Sequence, residues 1–364
     1  MTVKEVTTIL EELAPLGHAE DFDNVGLLVG DAGAKVTGIL VTLDTLENVV
    51  DEAIANDCNL IVSFHPIIFG GLKKITGATY VERVVTKAIR HGIAIYSMHT
   101  ALDNVPEGVN GKICEVLGLT DTRILIPKQG ALKKLVTYVP LESEKELKTA
   151  LFAAGAGSIG QYSDCSFSTE GTGSYKAGAK ANPTKGEIGR IHYEKEVQVN
   201  VVFPKVREAK VVRALLEAHP YEEVAYEIYT TNNTDRHIGM GMIGSLKEPA
   251  NEIDFLKTVK RKMNAPVVRH SPLLGKPVEK VAVLGGSGAF AIEAAKAAGA
   301  DVFISADIKY HEFYKAENKM LIADIGHYET EQFTKNLLVD YLTKKIPNFA
   351  IRLSESKTNP IKYL

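Results

Sequence analysis

Short apolar runs alternate with amphipathic segments along the first third of the chain. Leu60-Ile61-Val62 is apolar at consecutive positions, as in a central strand that is covered on both faces. Residues 45–57 and 79–92, on either side of it, place apolar side chains at helical spacing. This alternation predicts a parallel or mixed sheet over residues 1–125.

The middle of the chain has a different pattern. Between residues 126 and 246, a strand, a helix, Gly/Ser-rich extended pieces, a further helix and a strand follow in the order of a ferredoxin-like α+β module. From 247 to 364 the strand–helix alternation resumes, and it ends in a long predicted helix over 327–345. We therefore predict an α/β fold formed by 1–125 and 247–364, with an inserted ferredoxin-like α+β domain at 126–246.

Composition and charge narrow the classes of function. With 45% hydrophobic and 24% charged residues, the 364-residue chain is typical of globular proteins, and its net charge of −3 gives no support for duplex nucleic-acid binding. No apolar run approaches the ~20 residues that span a bilayer, and the N-terminus lacks the features of a signal peptide. Cys58, Cys114 and Cys165 lie in no metal-binding or redox spacing, which favours reduced thiols and a cytoplasmic location.

Polar side chains follow three of the predicted strands. His65 ends one strand, His99 and Asp103 follow the next, and His327 follows a strand near the C-terminus, with Glu331 one helical turn later. Each feature alone is common on solvated helix faces or at helix caps. Their shared position at the carboxyl ends of strands favours a ligand site, and the mixed nitrogen and oxygen donors suit Zn, Mn or Fe(II).

Two other motifs leave alternatives open. The cluster SADIKYHEF offers Asp307 and His311 at a strand end, but a helix cap explains Asp307 equally well. The turn GGSG at 285–288 lies between a strand and a helix, as phosphate-binding loops do, yet it lacks the Walker lysine and the full dinucleotide fingerprint. Tight-turn chemistry is the favoured interpretation, with phosphate contact as the alternative. No Gly-x-Ser-x-Gly elbow supports a serine hydrolase.

A family resemblance spans essentially the whole chain. It is carried by DFDNVGLLVG, SFHPIIFGGLKKITG, HTALDNVPEGVN, GGSGAF, SADIKYHEF and IADIGHYETEQ, in that order. Together these motifs resemble the Nif-three-like proteins, which are also labelled GTP cyclohydrolase 1 type 2 homologues. The middle segment, with GTGSYKAGAKANP and HPYEEVAYEIY, is similar to the PII/CutA-like domain inserted in longer bacterial members.

The resemblance implies two similar α/β lobes with metal ions in the cleft between them, in a ring-shaped homohexamer. It implies that His65, Asp103, His327 and Glu331 are the metal ligands, with Glu331 bridging two ions. The family usually has two consecutive histidines before the proline, whereas Phe64 stands at the first position here. We therefore expect one well-formed site, built on His65, Asp103 and Glu331, and a second site that is weaker or empty.

The function predicted from these residues is metal-dependent hydrolysis of a nucleotide or related small molecule, with GTP as the candidate that the resemblance implies. In this hypothesis a divalent transition metal (Zn, Fe or Mn) activates water, and His99 or His311 transfers protons. The alternative is a non-enzymatic, ring-forming metal-binding or regulatory protein whose PII-like module senses a ligand. Neither hypothesis involves a membrane or duplex nucleic acid.

Overall fold

The chain forms two compact units in this computed structural model, which describes residues 1–364. The first unit combines residues 1–127 with 236–364, and the second comprises 128–235. The helices and strands are, in chain order, α1 (Val3–Leu13), β1 (Gly26–Val29), β2 (Ile39–Thr42), α2 (Glu47–Ala55), β3 (Leu60–Ser63), α3 (Tyr80–Arg90), β4 (Ala94–Ser97), α4 (His99–Asp103), α5 (Val109–Leu117), β5 (Thr120–Lys128), β6 (Leu132–Pro140), α6 (Glu144–Ala153), β7 (Phe167–Lys176), β8 (Ile191–Pro204), α7 (Glu208–Ala218), β9 (Tyr226–Thr230), β10 (Asp235–Ala250), α8 (Glu252–Lys262), β11 (Arg269–His270), β12 (Val278–Ser287), α9 (Ile292–Ala297), β13 (Val302–Ala306), β14 (Leu321–Asp324), α10 (His327–Glu331), α11 (Thr334–Lys345) and β15 (Ile351–Leu353). None of the helices is both long and apolar enough to span a membrane.

The first unit contains a five-stranded sheet in the order β1-β4-β3-β2-β15. Strands β2, β3 and β4 are parallel, and their last residues Thr42, Ser63 and Ser97 are in register. All residues of these three strands are buried, because helices and the second sheet cover both faces. The in-register carboxyl ends bring the residues that follow each strand to one edge of the sheet.

A six-stranded sheet in the order β11-β14-β13-β12-β10-β5 completes the first unit. Its central strands β12, β13 and β14 are again parallel. Val41 and Val62 of the first sheet share one buried cluster with Val283 and Ile304 of the second, so the two sheets enclose a common core. The first unit is thus a mixed α/β structure with two sheets; the alternating pattern predicted its α/β class.

The second unit is a four-stranded antiparallel sheet in the order β7-β8-β6-β9. Helices α6 and α7 cover one face of this sheet, where residues such as Val199 and Phe203 are buried. The unit ends at Asp235 rather than at the predicted residue 246. The difference arises because β10 pairs with β12 in the six-stranded sheet and therefore belongs to the first unit.

The predicted long helix over 327–345 is wrong as a single element. The structure has two helices, α10 and α11, with Gln332 and Phe333 between them. Phe333 has a ψ of −7°, whereas the typical value in an α-helix is about −42°. The short α10 carries both His327 and Glu331.

Candidate metal centre

Two histidines and one glutamate from distant parts of the chain meet at the carboxyl ends of the parallel strands in the two sheets. The backbone N–H of His65 donates to the carbonyl of Leu43 (2.9 Å), as if β3 continued, and Pro66 then ends the ladder because proline has no N–H. His327 begins α10 and Glu331 ends it. One ligand atom from each of His65, His327 and Glu331 lies within 4.8 Å of the other two.

The imidazoles approach the same carboxylate oxygen with the same ring nitrogen. His65 Nε2 lies 3.1 Å from Glu331 Oε2, and His327 Nε2 lies 3.3 Å from it. The two rings are 5.5 Å apart between centroids. The spacing of the histidine and glutamate on α10 therefore places both on the face that meets His65, as predicted from the i, i+4 relation.

The other ring nitrogen of each histidine is held by an aspartate. His65 Nδ1 lies 2.8 Å from Asp44 Oδ1, and His327 Nδ1 lies 2.7 Å from Asp307 Oδ2. A carboxylate at Nδ1 fixes the ring orientation and leaves Nε2 as the atom that can bind a metal, which is the usual outer arrangement of histidine ligands. Asp307 therefore orients the ring of His327. It does not cap the helical turn that begins at Tyr310, since that turn has no side-chain cap.

Two buried carboxylate oxygens in this region lack hydrogen-bond partners. Glu331 is only 3% exposed, and its Oε2 atom has ion-pair distances to both imidazoles but hydrogen-bond geometry to neither. Asp103 Oδ1, at the end of α4, is also buried without a partner. Because a buried carboxylate oxygen that accepts no hydrogen bond is costly, these two atoms fit a site that holds a cation.

The electrostatics of the cluster also favour a cation. Burial alone would lower the pKa of His65, but the Asp44 and Glu331 carboxylates raise it to about 10. In the same way Glu331 and Asp307 overcome burial and raise the pKa of His327 to about 9. Burial opposes ionisation of Glu331, yet the two imidazoles lower its pKa to about 2. The carboxylates around the two rings therefore favour a positive charge at Nε2, either a proton or a metal ion.

Asp103 is set apart from the three clustered residues. Burial, followed by repulsion from Glu331, raises its pKa well above the ordinary value. We expected a site built on His65, Asp103 and Glu331, whereas the compact group contains His327 in place of Asp103.

Phe64 and His99 form the wall next to this group. Phe64 is fully buried, with its ring centroid 4.9 Å from that of His65 and 5.5 Å from that of His99. The His99 ring lies 5.3 Å from that of His65, and its Nδ1 is 2.8 Å from Asp23 Oδ1. Thus His99, which the sequence suggested for proton transfer, lies beside the group.

His311 does not join the cluster. Its side chain is exposed, and its ring packs against Tyr310 and Tyr314 at centroid distances of 5.1 and 6.2 Å. Sequence reasoning also missed the aspartates Asp44 and Asp23, which orient His65 and His99. The position of Asp44 just beyond the end of β2 was a visible signal, because the neighbouring strand ends already supplied candidate ligands.

The GGSG turn supports the helix that carries the site. Gly285 N–H donates to Asn110 Oδ1 (3.0 Å), and Gly286 N–H donates to Thr330 Oγ1 (2.9 Å). A Cβ atom at Gly286 would lie 2.5 Å from Glu331 Oε1. Because protein side chains already occupy these two N–H groups, the turn acts in close packing, which favours the tight-turn interpretation over phosphate contact.

Comparisons with known proteins agree over the full chain. The family model Duf34/NIF3 (NGG1p interacting factor 3) matches residues 1–360. The chain is 38% identical over 371 residues to the GTP cyclohydrolase 1 type 2 homolog of Bacillus subtilis (strain 168), covering 99% of this chain and 98% of that protein. It is 35% identical over 364 residues to the protein of the same name from Halalkalibacterium halodurans, with 99% and 98% covered. The crystal structure of a Bacillus cereus protein related to NIF3 superposes with a TM-score of 0.84 at 36% identity, covering 100% of this chain and 99% of that one.

Proposed function

Because the chain belongs to the Duf34/NIF3 family, we propose that it is a metal-dependent hydrolase acting on a nucleotide or a related small molecule. His65 Nε2, His327 Nε2 and Glu331 Oε2 would hold one divalent transition metal, and Asp103, whose buried Oδ1 accepts no hydrogen bond, would supply a further oxygen. The observation that carries this proposal is the buried Glu331 Oε2, which faces two imidazole nitrogens at 3.1 and 3.3 Å without a hydrogen bond.

The donor set agrees with the proposed metal class. Two imidazole nitrogens and carboxylate oxygen suit Zn, Fe(II) or Mn, whereas Mg and Ca prefer shells made entirely of oxygen. When bound, such an ion supplies Lewis-acid activation of water and polarisation of the substrate. Asp44 and Asp307 keep the two rings turned toward Glu331, and buried Phe64 excludes water from behind His65.

His99 is the residue that we propose for proton transfer. Asp23 holds its Nδ1, which leaves Nε2 available to accept a proton from water or to return one to a leaving group. Its ring lies next to that of His65, whereas exposed His311 packs against tyrosines. We therefore assign proton transfer to His99 in preference to His311.

Turnover of nucleotides tests the enzyme proposal. The printed name of the relatives makes GTP the first substrate to try, followed by other nucleotides and their phosphate esters. Protein reconstituted separately with Zn²⁺, Fe²⁺ and Mn²⁺ is incubated with each compound, and products are identified by mass spectrometry. We expect a product that disappears with His65→Ala and falls at least tenfold with His99→Ala, while exposed His91→Ala leaves the rate unchanged. Absence of turnover with every metal and nucleotide would contradict the proposal.

A non-enzymatic metal-binding role is the second candidate, and Phe64 favours it. This fully buried side chain offers no ligand atom at the position where the family resemblance places a histidine, and the structure gathers a single three-residue group. Phe64→His separates the two roles. If the wild-type protein binds one ion without turnover, and the variant binds two ions and gains turnover, the natural protein is a metal binder rather than a hydrolase.

We also propose a class for the second unit and an assembly for the whole protein. Its order of strand, helix, two strands, helix and strand, with spatial order β7-β8-β6-β9, supports a ferredoxin-like domain inserted into the α/β unit. The family resemblance supports a homohexamer.

A further inference from the structure

The second unit contains a cavity of about 680 Å³, which is within the usual range for small-molecule sites. Glu196 and Gln198 of β8 line it. The alternating residues Val197 and Val199 belong to the core with α6 and α7. The cavity therefore lies on the face of the sheet that the helices leave uncovered. All of its lining residues fall within 138–225.

Three tyrosines contribute to the cavity lining, namely Tyr138, Tyr175 and Tyr221. The rings of Tyr175 and Tyr221 meet edge to face with centroids 6.3 Å apart. Tyr221 donates its hydroxyl hydrogen bond to Glu196 Oε1 (2.8 Å), which fixes that carboxylate within the lining. Thr184 Oγ1 donates to the carbonyl of Pro220 (2.9 Å) and ties the two covering loops together. The result is a carboxylate bordered by aromatic rings in a formed recess.

Two glycines on β7 make room for this arrangement. At Gly173 a Cβ atom would lie 2.0 Å from Glu196 Oε2, so any side chain there would displace the carboxylate. At Gly171, which also lines the cavity, a Cβ atom would meet nothing within 4 Å. The space beside Glu196 is therefore open, and a larger residue at 171 can fill it without a backbone clash.

The charge of the lining selects the class of ligand. Its ionisable side chains, tyrosines aside, are the carboxylates of Glu196, Glu222 and Glu223. Glu170 and Lys176 also line it, but they alternate along β7 with Gly171 and Tyr175, so their side chains belong to the opposite face of the sheet. Glu196 has no ion-pair partner, in contrast to Glu194 two residues earlier, which pairs with Lys185 and His192. Phosphate groups would be repelled here, whereas an organic cation gains both the unpaired carboxylate and the π faces of the tyrosines.

We propose that this cavity binds a small organic cation, an ammonium or guanidinium compound, with its charge against Glu196 and its apolar body between the tyrosine rings. This site is separate from the metal centre and does not depend on the proposed hydrolysis.

Binding of choline and agmatine to the full-length protein tests the proposal by isothermal titration calorimetry. We expect at least one of the two to bind with a Kd below 1 mM. Glu196→Gln keeps the shape and the contact with Tyr221 but removes the charge, and should weaken binding roughly tenfold to a hundredfold, as expected for a charge-assisted contact. Gly171→Leu should abolish binding by filling the space. Glu217→Gln makes the same charge change on the exposed side of α7 and should leave the affinity unchanged.

The results that would overturn the proposal are equally specific. Absence of binding by both cations, or binding that is the same in wild type, Glu196→Gln and Gly171→Leu, would exclude this cavity as an organic-cation site. ATP serves as the anionic probe under the same conditions. ATP binding that is lost in Gly171→Leu but retained in Glu196→Gln would assign the cavity to a phosphorylated ligand instead. Circular dichroism of each variant verifies that the fold is retained.

Discussion

At the scale of single residues, the candidate centre is a set of imidazoles, each held by one aspartate. The pattern of strand ends and of one helical turn placed His65, His327 and Glu331 among the candidate ligands, together with His99 and Asp103, and the family resemblance then implied which of them bind metal. The sequence could not predict that Asp44 orients His65 or that Phe64 lies wholly buried beside it, because those contacts depend on how distant segments meet.

Metal affinity should rise with pH. The neighbouring carboxylates raise the pKa of His65 to about 10 and that of His327 to about 9, after overcoming the opposing effect of burial. Below these values a metal ion must displace protons from Nε2, so binding strengthens as pH rises from 6 to 8. We expect the apparent Zn²⁺ affinity to increase by at least about tenfold per pH unit, measured by competition with a chelator of known pH dependence.

A variant tests how many protons the metal displaces. His65→Ala removes one of the two displaced protons and should reduce the slope of log affinity against pH. An affinity that does not vary with pH in the wild-type protein would show that Zn²⁺ does not replace protons on these rings.

At the scale of elements, the position of α10 depends on the GGSG turn at the end of β12. The sequence indicated a tight turn there, but the partner of the turn was not predictable, because the contact joins residues 44 positions apart in the chain. The prediction of one long C-terminal helix was wrong for a related reason. Helical periodicity continues across Gln332 and Phe333, whereas the tertiary contacts of α10 fix its orientation separately.

Gly286→Ala should lower the affinity for metal, in addition to the loss of folding stability that any Gly→Ala change at a positive φ causes. The new Cβ atom would lie 2.5 Å from Glu331 Oε1 and would displace that carboxylate from the two imidazoles. Gly275→Ala is the matched control, because its φ of +70° is close to the +68° of Gly286 but its Cβ would have no neighbour within 4 Å. Both variants bear a backbone cost of about 1 kcal/mol or more in the free energy of unfolding.

Urea denaturation and Zn²⁺ titration of both variants check this expectation. Only Gly286→Ala should lose metal affinity, by about tenfold or more. Equal Zn²⁺ affinities in the two variants would mean that close packing at residue 286 does not position Glu331.

At the scale of the whole molecule, one α/β unit is built from two separated segments and the second unit is inserted between them. The change of pattern along the sequence predicted an insertion from residue 126, and the second unit comprises residues 128–235. Its end was harder to predict because β10 follows the insertion directly and has the same extended pattern. Only its pairing with β12 assigns that strand to the first unit.

The proposed assembly gives a direct expectation for the mass in solution. We expect light scattering coupled to size-exclusion chromatography to give six times the chain mass of 39.6 kDa, independent of protein concentration in the micromolar range. A monomeric mass at these concentrations would contradict the hexamer. Addition of a chelator should leave the mass unchanged, since the proposed ligands His65, His327 and Glu331 all come from one chain.

The metal content of the untagged protein tests the central claim most directly. After incubation with excess Zn²⁺ and exhaustive dialysis, inductively coupled plasma mass spectrometry should find one ion per chain. Less than about 0.2 ion should remain in each of His65→Ala, His327→Ala and Glu331→Gln, while exposed His91→Ala retains the full ion. A wild-type protein without bound metal, or one ion per chain in all of these variants, would contradict the claim that these three side chains form a metal site.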